Sequence, residues 1–208
     1  MSSPFRAALL FAGALSLAGC ATLTGRVPEG PANEAAWQTR LAELGRLDSW
    51  ELSGRVGVAT AKDGGSGSLD WKQQGPELTF DFRGPLGAGT VHMEGDAQAL
   101  HVQSSRGDDF VTTDPEQDFT THLHMPMPVF SMRYWLLGIP DPSVPYSKTA
   151  DARGEPMTLE QRDWRVEYQA YTEVQGLAVP LRFTLTRGEV RIKVAVNQWT
   201  LPSTAASP

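Results

Sequence analysis

The chain has 208 residues, a formal net charge of −6 and one cysteine. That length is enough for one domain with a real core. No run of Lys or Arg offers the basic patch that nucleic-acid binding rests on, and one thiol cannot supply a disulfide framework or a multi-cysteine zinc site.

The N-terminus carries Arg6 and then an apolar stretch, Ala7–Ala18, ending in small residues. This is the pattern of a secretory signal. Twelve residues rise about 18 Å as a helix, short of a hydrocarbon core about 30 Å thick, so a permanent transmembrane anchor is not expected. The ending Leu17-Ala18-Gly19-Cys20 resembles a bacterial lipobox. That resemblance implies acylation of the Cys20 sulfur and cleavage before it. Ala21, where an aspartate would act as the inner-membrane retention signal, implies an outer-membrane address. Residues 22–32 are rich in Gly and Pro and carry no apolar period, which reads as a tether. The expected division is a signal at 1–19, a lipidated tether at 20–32, one domain at 33–200 and a disordered tail at 201–208.

After Asn33, a plausible N-cap, Trp37, Leu41 and Leu44 recur at helical spacing and predict a helix over 34–47. From residue 50 the pattern changes to alternation, the mark of strands with one buried face. Leu52, Gly54, Val56 and Val58 alternate with polar or small residues, as do Leu69 and Trp71, then Leu78, Phe80 and Phe82. Val91 and Met93, then Leu100 and Val102, continue it, with turn signals at 63–67, 74–76, 84–89 and 95–97. Asp114-Pro115-Glu116-Gln117 is a helix start, and an apolar stretch over Val129–Leu137 stops at Gly138. Strands resume around Trp164–Tyr168, Leu181–Leu185 and Val190–Val196, with weaker candidates near 108–113, 146–152 and 156–161. About eleven strands in an antiparallel meander exceed a comfortable open sheet, so the fold class is mainly β: an incomplete barrel with helices to close its mouth.

Little in the chain is catalytic in type. His122 and His124 point to different faces of a helix, and His92 and His101 lie on neighbouring strands without an acidic or cysteine ligand pattern. Asp108-Asp109 reads as a solvated turn, and no nucleophile elbow, Walker sequence or dinucleotide motif occurs. No cofactor or metal is implied. Four of the six tryptophans, Trp71, Trp135, Trp164 and Trp199, fall on inward faces. They fit either a solid core or an apolar ligand cavity.

Several strings in order resemble the LolB family of outer-membrane lipoproteins, which receive other lipoproteins and insert them into that membrane. They are WELSGRVG at 50–57, LDWKQQ at 69–74, GPLGAG at 84–89, MPMPVFSMRYWLLG at 125–138, WRVEYQAY at 164–171 and the closing stretch 192–199. The resemblance implies an incomplete eleven-stranded barrel with a helical lid over a hydrophobic cavity. It implies no catalysed bond change. Implied partners are a LolA-type periplasmic carrier, acylated lipoprotein cargo and the outer-membrane bilayer, with the protein acting as a monomer. Leu86, flanked by Pro85 and Gly87, aligns with a protruding loop whose exposed leucine delivers cargo. Trp71, Trp135, Trp164 and Trp199, with Phe80 and Phe82, are the expected cavity residues. The rival readings are a structural or assembly lipoprotein with a solid core, a binder of another amphiphile, and a lipid hydrolase.

Overall fold

The computed structural model describes residues 25–85, 89–122 and 127–202. The expected signal segment, Cys20, Leu86, Gly87, His124 and residues 203–208 of the expected tail lie outside the described residues. Helix α1 (Glu34–Leu44) starts where Asn33 caps it, its side-chain oxygen accepting the Ala36 N–H at 3.2 Å. It stops three residues short of the expected end, because Gly45 and Leu47 turn back onto Leu41 and Leu44.

Eleven strands follow: β1 (Ser49–Ala59), β2 (Gly64–Gln74), β3 (Glu77–Arg83), β4 (Thr90–Gly95), β5 (Leu100–Ser104), β6 (Asp109–Thr112), β7 (Ser147–Ala150), β8 (Pro156–Gln161), β9 (Trp164–Val174), β10 (Leu177–Arg187) and β11 (Val190–Thr200). They form one antiparallel sheet in the order β6-β5-β4-β3-β2-β1-β11-β10-β9-β8-β7. The sheet is open, as an incomplete barrel requires. Its centre is the β1–β11 pair, where the beginning and the end of the sheet meet. At this seam the register shifts between Ser53 and Gly54. A Cβ on Gly54 would stand 2.4 Å from the Ala195 carbonyl oxygen, so the bulge needs glycine.

Every strand connection is a hairpin except one. From β6, at one free edge, the chain must reach β7 at the other. It crosses through α2 (Pro115–His122) and α3 (Val129–Trp135). Asp114 caps α2 by accepting the Gln117 N–H at 3.2 Å. Past α3 the chain reverses at Gly138 (φ +73°), where the Ile139 N–H donates to Tyr134. Phe119 of α2 and Met132 and Trp135 of α3 are buried in the same apolar core as the inward strand positions. The crossover therefore covers the inward face of the sheet, held there by these buried side chains.

Two segments differ from the expectations. The stretch DGGSG at 63–67 is not a turn: the chain turns at Thr60–Asp63, where the Thr60 hydroxyl accepts the Asp63 N–H. Residues 64–68 are the first part of β2, paired with β1 from Gly64↔Ala59 to Ser68↔Arg55. Pairing along the full length of β1 outweighs the low strand propensity of Gly and Ser. The second is the tether. From residue 25 it lies against the barrel: Arg26 and Tyr171 exchange both backbone hydrogen bonds at 2.8 Å, and the Arg26 guanidinium pairs with buried Glu155. β8 leaves β9 beyond Thr158↔Glu167, and the freed flank of β9 accepts this segment.

Candidate functional site

The inward side chains of the sheet change size along the barrel. At one end Trp50 stacks on Trp71 with ring centres 6.1 Å apart, and Trp199 packs 5.5 Å from Trp50. This end is solid. Moving up β2, the inward positions run Trp71, Leu69, Gly67 and Gly65, opposite Leu52, Gly54, Val56 and Val58 of β1. The side chains dwindle, and space opens.

That space is a cavity of about 240 Å³. Its wall is apolar: Val56 and Val58 of β1, Leu69 of β2, Phe80 and Phe82 of β3, Val91 of β4 and Ile192 of β11. Met127 and Met132 close it from the crossover side, and their flexible thioether chains suit a surface that must adapt. The rim is polar, with Ser104, Ser105, Arg106, Asp108 and His122.

Of the six aromatic residues expected at the cavity, Phe80 and Phe82 line it. Trp71, Trp135, Trp164 and Trp199 are buried around it rather than in its wall. Trp71 and Trp199 belong to the solid end, while Trp135 and Trp164 pack together 6.5 Å apart between α3 and β9. Of the loop residues, Pro85 is exposed. The loop base is closed by the Gly84 N–H donating to the Gly89 carbonyl at 2.8 Å.

The glycines of β2 are site residues that alternation counting passes over, because they carry no side chain to count. Gly65 stands at the cavity mouth, where an added Cβ would meet nothing within 4 Å. At Gly67 an added Cβ would lie 2.5 Å from the Phe82 ring and 2.3 Å from the Arg83 carbonyl oxygen. Phe82 can lie over β2 only because residue 67 is glycine.

Two contacts hold α2 over the cavity. Glu116 pairs with Arg187 of β10, and His122 stacks on Phe110 of β6 at 4.5 Å. His92 of β4 and His101 of β5 lie on the sheet away from the cavity wall. His92 meets Asp81 at 3.0 Å, and that carboxylate raises the ring's pKa. His101 meets Asp109 at 2.6 Å, which with Gln103 holds the Asp109 carboxyl below the usual range. Among the described residues no cluster of three His, Cys, Asp or Glu side chains could hold a metal, and no helix is long and apolar enough to cross a membrane.

A family model described as Outer membrane lipoprotein LolB matches residues 48–199. Relatives named Outer-membrane lipoprotein LolB include one from Alkalilimnicola ehrlichii, 36% identical over 94% of this chain and 98% of its own. Another, from Ectopseudomonas mendocina, is 33% identical over 92% and 94%. Among solved structures the chain is similar to a LolA superfamily protein from Nitrosomonas europaea (TM-score 0.52, 11% identity, 80% of this chain and 94% of that one). It is also similar to a putative outer membrane lipoprotein-sorting protein domain from Vibrio parahaemolyticus (TM-score 0.54, 7% identity, 82% and 92%). At such identities the solved structures speak for the fold alone. From the match along the sheet and the near full-length relatives, the chain belongs to the LolB family of outer-membrane lipoproteins.

Proposed function

We propose that this protein takes acylated lipoproteins from a LolA-type periplasmic carrier, shelters their acyl chains in the cavity, and passes them to the outer membrane. Lipid on Cys20 would hold it there. The observation that carries this reading is the apolar cavity under the crossover of an unclosed barrel, in a chain of this family. Each methylene kept from water is worth about 0.8 kcal/mol, so acyl chains crossing the aqueous gap need a dry container. No nucleotide-binding motif is present in the sequence, and transfer in this reading runs down a gradient of affinity from carrier to protein to bilayer.

The cavity must widen to do this. At about 240 Å³ it is smaller than the roughly 300–1,000 Å³ of common small-molecule sites. The ties on α2 suit such an opening. The Glu116–Arg187 pair is partly exposed, and pairs of that kind contribute about 0–1 kcal/mol. Met127 and Met132 can change rotamer as the helix shifts.

Delivery would fall to the loop carrying Leu86, with Pro85 and Gly87 restricting its turn. The test is a reconstitution with loaded carrier, this protein and liposomes. Wild type is expected to move cargo into liposomes. Leu86→Glu is expected to accept cargo and fail to insert it. Normal insertion by Leu86→Glu would sink the loop's role, and no cargo uptake by wild type would sink the transfer reading.

A further inference from the structure

The apolar cavity does not end blindly. A second hollow of about 850 Å³ adjoins it, and Val58, Gly65 and Arg106 line both. The second hollow is the more polar of the two, with Thr60, Lys62, Asp63 and Glu189 around it. An apolar pocket that opens through a shared wall into a polar vestibule has the form of an amphiphile. Arg106 stands at the boundary.

The β5–β6 turn that carries Arg106 is tied down. Ser104 Oγ accepts the backbone N–H groups of Arg106 and Asp108, at 3.2 and 3.3 Å. The Ser104 N–H donates to the Asp108 carbonyl, and the Thr90 N–H donates to Ser105 Oγ at 2.9 Å. The Asp108 carboxylate takes the Ser104 hydroxyl. Among the described residues the Arg106 guanidinium forms no ion pair, while Arg26, Arg83, Arg165 and Arg187 each do. Arg106 thus presents an exposed fork of five N–H donors at the cavity mouth from a turn whose backbone is fixed.

The surrounding charges indicate which head group fits. Arg106 and Lys62 face Asp63, Asp108 and Glu189, so the field does not favour an anion. A neutral head rich in acceptors suits the site better. Ester carbonyls accept hydrogen bonds and donate none, and a bond from a charged donor is among the stronger ones. We propose that Arg106 marks a head-group subsite whose guanidinium donates to the ester carbonyls of a diacylglyceryl group, while the acyl chains run toward Phe80 and Phe82. This rests on the reading of the cavity as an acyl-chain site. Acylated lipoproteins and phospholipids share the diacylglyceryl esters and differ in the phosphate.

The experiment displaces an apolar fluorescent dye from protein purified with Cys20→Ala, so that no acyl chain of its own competes. Three competitors are used: a synthetic diacylglyceryl-cysteine peptide, its dialkyl ether analogue without carbonyls, and dispersed phosphatidylglycerol. Arg106→Ala is expected to weaken the ester peptide about tenfold, the scale of one charge-assisted hydrogen bond, and to leave the ether peptide unchanged. Arg106→Lys, which keeps the charge without the fork, should recover part of the loss. Phosphatidylglycerol should weaken no more than the ester peptide. Equal losses for ester and ether peptides, or no loss for either, would overturn the subsite. A loss confined to phosphatidylglycerol would replace ester recognition with phosphate recognition. If wild type takes up neither dye nor peptide, the acyl-chain reading itself fails, and the subsite with it.

Discussion

Gln161 shows how one polar side chain can fix the crossover in place. Its Oε1 accepts the Trp135 indole N–H at 2.8 Å and the Asp141 N–H at 2.9 Å, while its Nε2 donates to the Asp141 and Val144 carbonyls. Each buried group left without a partner costs about 1–3 kcal/mol, so Gln161→Leu is expected to lose roughly 3 kcal/mol in urea melts despite the gain in apolar surface. Asp141 gives the same junction a pH dependence. Burial pushes its carboxyl up, but hydrogen bonds from the Ser143 side chain and N–H and from Ser131 outweigh that and hold it below its ordinary value. A depressed carboxyl stabilises the fold above the unfolded-state pKa of about 3.9 and loses that contribution as pH falls through the folded value. Asp141→Asn should therefore be less stable than wild type at neutral pH, with the gap closing below about pH 4. Arg40 plays a comparable part in α1: burial lowers its pKa, and it donates to the Leu137, Gly138 and Ala178 carbonyls. The roles of Gln161 and Arg40 are not legible in the sequence, because their partners lie 17 to 138 residues away and several are backbone carbonyls.

Among the elements, β2 is the one that makes the site. Gly67→Ala would push a methyl into the Phe82 ring and the Arg83 carbonyl, separating β2 from β3. Overpacking of that kind costs about 1–3 kcal/mol, and the drop should be visible in thermal melts, whereas Gly65→Ala meets open space and should be nearly neutral. The alternation of Leu52–Val58, Phe80–Phe82 and Val190–Val196 makes these strands readable in the sequence, because one buried face imposes period two. The glycines defeated the same rule. Gly and Ser clusters usually mark turns, and only pairing with the whole of β1 makes a strand of 64–68. The N-terminal segment is similar: its Gly and Pro content reads as free chain, and its docking depends on a gap left where β8 parts from β9. Arg26→Ala is expected to loosen that docking, with faster hydrogen exchange at the Tyr171 amide and no change in dye uptake by the cavity.

For the whole molecule, two features of the fold combine. A meander that starts and ends at the centre of its sheet leaves its two edges joined by a crossover, whose buried Phe119, Met132 and Trp135 pack into the inward face. A barrel filled with tryptophan at one end and glycine at the other must then be hollow at the glycine end, beneath that crossover. The aromatic stripe could be counted in the sequence, but counting could not tell packing from lining. Phe80 and Phe82 face the hollow, and the four tryptophans surround it. The central claim is that this hollow takes acyl chains. The direct measurement is titration of an apolar fluorescent dye, displaced by an acylated peptide, on the Cys20→Ala protein with and without Gly65→Phe, a bulky substitution at the mouth where an added Cβ meets nothing within 4 Å. The account predicts saturable uptake that the acylated peptide reverses, and its loss in Gly65→Phe with the melting temperature preserved. Uptake that is absent from the Cys20→Ala parent, or equal in the two proteins, would contradict it.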